Sequence, residues 1–207
     1  MGIRNTLGAC GLLALVGSGC ASAGPTPPAD PAPATVERTH APYVEADVAF
    51  MQGMIAHHGQ ALEMTSLAPA RTTNATLLSL AERIDLTQQQ EIARMTRWLD
   101  ARGETAPEPA AYREHADHGA HAGHMPGMLT PEQMARLASA SGSEFDALFL
   151  ESMIRHHEGA LTMVAELQAA GGGLEPEIFR FAADVDADQR AEIARMQSLL
   201  TRIRGAE

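Results

Sequence analysis

The chain has 207 residues and a formal net charge of -11, with no Lys/Arg cluster; this excludes a nucleic-acid partner, since binding phosphates needs a basic footprint. Hydrophobic residues make up 45% but aromatics only 4%, and Ala, Leu and Met dominate over Val, Ile and Tyr. That balance predicts an all-α protein with one core.

Residues 1–20 read as an export signal: Arg4 precedes an apolar run, Leu7 to Val16, too short for the roughly 20 residues that span a bilayer. Gly17-Ser18-Gly19-Cys20 resembles a lipoprotein processing site with Cys20 as the lipidated residue, although Gly17 stands where such signals usually place Leu or Val. Ala21-Ser22-Ala23 fits an A-x-A site and would release a secreted form. Cys10 and Cys20 are the only cysteines and both lie in this leader, so the mature domain has no disulfide framework and no thiolate site. Membrane attachment is expected only through the lipid. Residues 21–42 form a Pro/Ala-rich linker (Pro25, Pro27, Pro28, Pro31, Pro33, Pro42), extended and burying nothing.

The domain occupies 43–207. Its first helix is predicted from about Val44 to Leu67, ended by Pro69 and the polar Arg71-Thr72-Thr73. At 100° per residue Asp47, Phe50, Met54, His57, His58, Ala61 and Thr65 share one broad face. Asn74 is the expected N-cap of a second helix, Ala75 to about Ala101, with Leu77, Leu80, Ala81, Ile84, Gln88, Ile92, Met95 and Leu99 at spacings of three and four. A short connection between two long helices predicts an antiparallel hairpin.

Residues 104–129 break the pattern with prolines and read as a flexible loop carrying His115, His118, His121 and His124, spaced by three, then Met125 and Met128. Thr130-Pro131-Glu132-Gln133 reads as a capping box with Pro at the first helical position, opening a short helix to about Ala140. Ser143-Glu-Phe-Asp146 is a further capping signal for a third long helix to about Ala169. Gly171-Gly172-Gly173 ends it, and Glu175-Pro176 opens a fourth, to about Ile203.

The chain repeats itself. Asp47-Val-Ala-Phe-Met-Gln-Gly-Met-Ile-Ala-His-His-Gly-Gln-Ala-Leu-Glu-Met64 returns as Asp146-Ala-Leu-Phe-Leu-Glu-Ser-Met-Ile-Arg-His-His-Glu-Gly-Ala-Leu-Thr-Met163. Ala81, Ile84, Asp85, Gln88, Glu91-Ile-Ala-Arg-Met95 and Leu99 return as Ala182, Val185, Asp186, Gln189, Glu192-Ile-Ala-Arg-Met196 and Leu200. The offset grows from 99 to 101, which places a two-residue insertion in the glycine loop. Neither hairpin alone can bury its stripe, so two duplicated hairpins joined as a four-helix bundle are expected.

Leu129-Thr-Pro-Glu-Gln-Met134, Ser141-Gly-Ser-Glu-Phe-Asp146, the Met-Ile-x-His-His cores and the Glu-Ile-Ala-Arg-Met segments resemble the bacterial family catalogued as domain of unknown function 305, over roughly Tyr43 to Arg204. The resemblance implies a ferritin-like, exported protein; that family includes periplasmic copper-binding proteins that hold Cu(I) or Ag(I) through Met and His.

The residues point to the same chemistry: outside the cytosol, a soft ion is held better by thioether and imidazole than by oxidisable thiols. His57, His58, His156 and His157 are the candidate nitrogen ligands and Met54 and Met153 the sulfur ligands, because Met54/His58 and Met153/His157 sit at i, i+4 on one face. Met51 lies near the same stripe, Met64 and Met163 are less well placed, and Met95 and Met196 read as packing. The bland reading makes the His pairs polar contacts between facing helices. The loop, with His115, His118, His121, His124, Met125 and Met128, would take Cu(II), Zn(II) or Ni(II). Asp47 and Asp146 read either as carboxylates orienting an imidazole or as early-helix residues favoured by the dipole. No His in the helical segments follows a Glu by three, as di-iron oxidases require, so no enzyme is expected. The predicted protein is an extracytoplasmic Cu(I)- or Ag(I)-binding protein for sequestration, transfer or tolerance, with a copper exporter or envelope chaperone as partner. The rivals are a non-metal envelope interaction module and, third, a copper-dependent oxidase.

Overall fold

A computed structural model describes residues 42–111, 113 and 125–205. Among these residues the α-helices run, in order, α1 (Glu45–Arg71), α2 (Ala75–Asp100), α3 (Pro131–Ser139), α4 (Gly142–Ala169) and α5 (Pro176–Arg204), with a 3-10 turn at Pro109–Ala111. There is no strand among the described residues, and the all-α expectation holds. No helix among them is long and apolar enough to cross a membrane. The leader and the linker, including Cys20, lie outside the described residues, as does the loop from 114 to 124.

The four long helices pair as the repeat requires, α1 with α2 and α4 with α5, and the two hairpins meet along α1 and α4. Local chemistry fixes the ends. Asn74 caps α2, its side-chain oxygen accepting from the Thr76 and Leu77 amides at 3.1 and 3.3 Å. Thr130 and Gln133 form the expected capping box before α3. Glu175 caps α5 by accepting from Glu177 and Ile178, with Pro176 at the first position.

Two boundaries differ from expectation. Pro69 does not end α1, which continues to Arg71. A proline in the last turn forfeits a single backbone bond, and the Thr72 amide still closes on the Ala68 carbonyl at 3.1 Å. α4 begins at Gly142 and not at the Ser143 signal: Gly142 takes φ 59, open at little cost to glycine, and Ser141 precedes the helix without a side-chain cap.

The core is two apolar clusters stacked along the bundle. One joins the C-terminal half of α1 (Ala61, Met64, Ala68), the N-terminal half of α2 (Leu77, Leu80, Ile84), the start of α4 (Phe145, Phe149, Met153) and the end of α5 (Met196, Leu200). The other joins the complementary halves, with Phe50, Met54, Met95, Trp98, Val164 and Phe181. The repeat exchanges one cluster for the other, so the hairpins are related by an approximate two-fold axis crossing the bundle between them.

Asp47 and Asp146, equivalent in the repeat, contact no imidazole. Asp47 accepts from the Val44 amide at 2.9 Å and from the Gly173 amide, in the turn of the second hairpin, at 2.7 Å. Asp146 accepts from the Asn74 side chain, in the turn of the first, at 2.8 Å. Each hairpin's first helix thus holds the other hairpin's turn. Asn74→Ala removes both an N-cap and the partner of a buried carboxylate, so urea unfolding at pH 7 is expected to show a loss of about 1–3 kcal/mol; unchanged stability would contradict this role.

Candidate metal centre

Between the two apolar clusters lies a polar layer. α1 supplies His57 and His58, α2 Gln88 and Glu91, α4 His156 and His157, and α5 Gln189 and Glu192. The four histidines and two glutamines are 0% exposed. Adjacent residues on a helix point about 100° apart, so the members of each His-His pair face different neighbours. His57 faces its own copy: its ring lies 3.8 Å from that of His156 between centroids, tilted by 35°. His58 turns into its own hairpin, where Nε2 meets Glu91 Oε2 at 2.5 Å, and His157 does the same with Glu192 at 2.7 Å.

These contacts set the tautomers. A carboxylate accepts, so Nε2 of His58 and of His157 carries a hydrogen. His57 donates from Nε2 to the Pro126 carbonyl at 3.0 Å, with the same result. Among the described residues, no hydrogen-bond partner reaches Nδ1 of His57, His58 or His157, either nitrogen of His156, or the side-chain amides of Gln88 and Gln189. Buried polar atoms are normally paired, and here most of the orphans collect in one layer; Trp98 Nε1 and Asp146 Oδ1 are the two outside it.

Burial holds His57 and His156 neutral. His57 is lowered to about 3, first by desolvation and then by His58 close by. His156 lies well below the ordinary 6.5, again through burial first and then through His57, His157 and His58. Neutral imidazole with a free lone pair is the ligating form, so this donor set fits a metal ion. It does not form a closed cage: among the described residues, no three of His, Cys, Asp and Glu gather around one point. Donors in pairs suit a soft ion of low coordination number better than tetrahedral zinc. At the flank of the layer, Asp188 is raised by partial burial, then by Glu91, Glu192 and Asp184, which marks a local concentration of carboxylates.

The other candidates are distributed around this layer. Met54 and Met153 are fully buried on opposite sides of it, Met54 beside Met51, Phe50 and Ile55 and Met153 beside Phe149 and Leu150. Met125 and Met128 are half-buried where the long connection returns to the helices; His115, His118, His121 and His124 lie outside the described residues. Both described ends of that connection press on the bundle next to the histidines. A Cβ at Gly59 would stand 1.8 Å from the Pro109 oxygen, and one at Gly159 would stand 1.9 Å from the Pro126 oxygen, so only glycine admits the backbone there. Gln60 clasps Leu129 at both its carbonyl and its amide, at 3.0 and 2.7 Å.

Glu91, Glu192, Gln88 and Gln189 were not among the sequence candidates. Their signal is a polar residue interrupting the apolar stripe at the same register in α2 and α5.

Fold and layer together define a duplicated, all-helical protein with a buried imidazole centre. The chain belongs to the family described as Domain of unknown function (DUF305), whose model matches residues 47–200. Similar solved structures include a DUF305 fragment from Deinococcus radiodurans (32% identity, TM-score 0.66, covering 78% of this chain and 99% of that one). A DUF305 protein from Streptomyces coelicolor described as secreted is similar at 27% identity and TM-score 0.64, over 76% of this chain and 93% of that one. CopM in its Cu(II)-bound form is similar at 28% identity and TM-score 0.61, over 75% of this chain and 96% of that one; CopM is also solved with Cu(I) and with Ag. No curated protein matches the chain.

The depressed His57 has a consequence for stability. Between its folded value of about 3 and the ordinary 6.5, the unfolded chain binds the proton and the folded chain does not, so stability is full above about 6.5 and declines as pH falls towards 3. Urea unfolding free energy is expected to fall across this window, and more gently in His57→Asn; a flat profile in the wild type would contradict the neutral layer.

Proposed function

We propose that the chain is an extracytoplasmic copper-binding protein that holds Cu(I), or Ag(I), for sequestration or hand-over, without covalent chemistry of its own. The observation that carries this reading is the buried layer of imidazoles, His57 and His156 held neutral among them, with nitrogens that no hydrogen bond satisfies among the described residues. Two thioethers, Met54 and Met153, border it. Support from outside the chain comes from CopM, whose bound forms contain Cu(I), Cu(II) and Ag.

The residues divide the work. Glu91 and Glu192 fix the ring orientation and tautomer of His58 and His157 and make them better donors. Carboxylates at the flank favour approach of a cation. Burial keeps competing protons off His57 and His156, so binding is expected to persist as pH falls for as long as the bundle stays folded. The loop from 114 to 124, with Met125 and Met128, serves as an auxiliary capture site for Cu(II) or Zn(II). Location outside the cytoplasm is supported by the leader and by the relative described as secreted, and within this reading Cys20 is the lipid anchor. A copper exporter or envelope chaperone would be the source or acceptor of the ion.

A second reading has an observation of its own: the Glu91–His58 and Glu192–His157 pairs also suit a polar core with no ligand. Competition against a Cu(I) chelator separates the two. Changing Met54, His57, His58, Met153, His156 and His157 together is expected to abolish binding, and Glu91→Gln with Glu192→Gln to weaken it by about 10- to 100-fold, with helical circular dichroism checked in each variant. Unchanged affinity in all of them would leave the polar-core reading. Deleting residues 114–124 while keeping the docked 125–129 segment is expected to lower Cu(II) or Zn(II) stoichiometry and leave the helices intact; equal stoichiometry would remove the loop from the account.

A further inference from the structure

The two hairpins are copies of one another, yet their outer surfaces differ. Between α4 and α5 runs a groove of about 420 Å³ lined by Leu161, Val164, Ala165, Phe179, Ala182 and Ala183. Phe179 stands 62% exposed at its edge, and Leu174, next to Gly173 at the end of the groove, is 72% exposed. We propose that this face docks a second copy of the chain, groove to groove about a two-fold axis. The proposal does not depend on copper binding.

The first hairpin shows that the fold does not itself require an apolar surface at this place. Its equivalent positions on α1 and α2 hold Leu62, Thr65, Ser66, Leu78, Ala81 and Glu82. Thr65, Ser66 and Glu82 thus stand where the second hairpin has Val164, Ala165 and Ala183. Thr65 donates its hydroxyl to Asp85 at 3.0 Å, and Gln89 donates to the same carboxylate at 2.6 Å. Val164 has no hydroxyl to give, and Asp186, the copy of Asp85, is held instead by Arg190 at 2.8 and 2.9 Å. One backbone register therefore carries two surfaces, one suited to water and one to an apolar contact.

Charge and area select the occupant. With a net charge of -11, copies of the chain repel over most of their surface. Within this groove Asp186 and Arg190 cancel, so the approach of a like copy is not opposed there. A basic partner would favour the first hairpin, where Glu82 and Asp85 stand beside Gln89 and not an arginine. At about 1.5 Å per residue, helices of 28 and 29 residues set about 10 Å apart present an outer face of roughly 800 Å², the area one partner buries in a stable association. Two-fold packing uses one patch twice, so the projecting Phe179 of each copy has the other's groove to fill. Ala165 and Ala183, small and exposed, let the backbones come close.

Sedimentation equilibrium of the full chain tests this, under reducing conditions that keep Cys10 and Cys20 from linking copies. The wild type is expected to show a monomer–dimer equilibrium. Ala183→Glu, which installs the residue of the first hairpin, and Phe179→Ser are each expected to raise the dimer dissociation constant by about 100-fold or more. Glu82→Ala, on the other face, is expected to leave it unchanged. Hydroxyl-radical footprinting locates the contact: oxidation of Phe179 and Leu174 should fall as protein concentration rises, while that of Leu78 and Leu86 on the first hairpin stays constant. Circular dichroism identifies any variant that fails to fold, and the wild-type footprint then decides. A monomer at every concentration, an assembly that neither variant weakens, or Phe179 left equally reactive in the dimer would overturn the proposal.

Discussion

Four imidazoles stand buried at the centre of the bundle, and much of the surrounding architecture follows from the cost of placing such groups there. A buried cation is costly unless it is paired. His57 and His156, which face each other, are held neutral by burial. His58 and His157 each have a carboxylate, Glu91 and Glu192, brought by the second helix of the same hairpin. The layer therefore depends on all four long helices keeping their axial register. A slip of one residue in α2 or α5 would rotate a glutamate out by about 100° and bring an apolar or surface residue to the histidine.

The two aspartates at the starts of α1 and α4 supply much of that register. Because Asp47 holds the α4–α5 turn and Asp146 the α1–α2 turn, the hairpins are pinned to each other at both ends of the bundle, with the histidine layer between. The long connection adds a third constraint from the side: Pro109 lies on Gly59, Pro126 on Gly159, and Gln60 grips Leu129. The described ends of that connection, at Pro109 and Pro126, thus lie beside α1 and α4, the helices that carry the histidines.

The all-helical fold, the duplication and most helix starts were legible because their signals are local: Asn74, Thr130 with Gln133, and Pro176 each act within one turn. The inward placement of Asp47, Phe50, Met54, His57, His58, Ala61 and Thr65 followed from periodicity, and all seven are buried. What failed to show was non-local. His58 meets Glu91 across 33 residues and His157 meets Glu192 across 35, so no spacing rule joins them, although Gln88 and Glu91 stood in the quoted repeat as polar breaks in an apolar stripe. Asp47 and Asp146 were read as ligand-orienting or dipole residues, because their partners lie in the opposite hairpin and become visible only when the two halves are assembled. Pro69 misled for a different reason: a proline stops a helix by removing one bond and crowding the preceding turn, and in a final turn that is too little to matter.

The central claim is that the buried imidazole nitrogens bind the metal. Nitrogen-15 NMR of histidine-labelled protein titrated with Ag(I), a diamagnetic stand-in for Cu(I), tests it at the atoms concerned. The expected result is a change of nitrogen shift, with coupling to silver, at Nδ1 of His57 and at one nitrogen of His156, while Nε2 of His58 and of His157 stay bonded to their glutamates. Silver bound to the protein with all four of these imidazoles unperturbed would contradict the account.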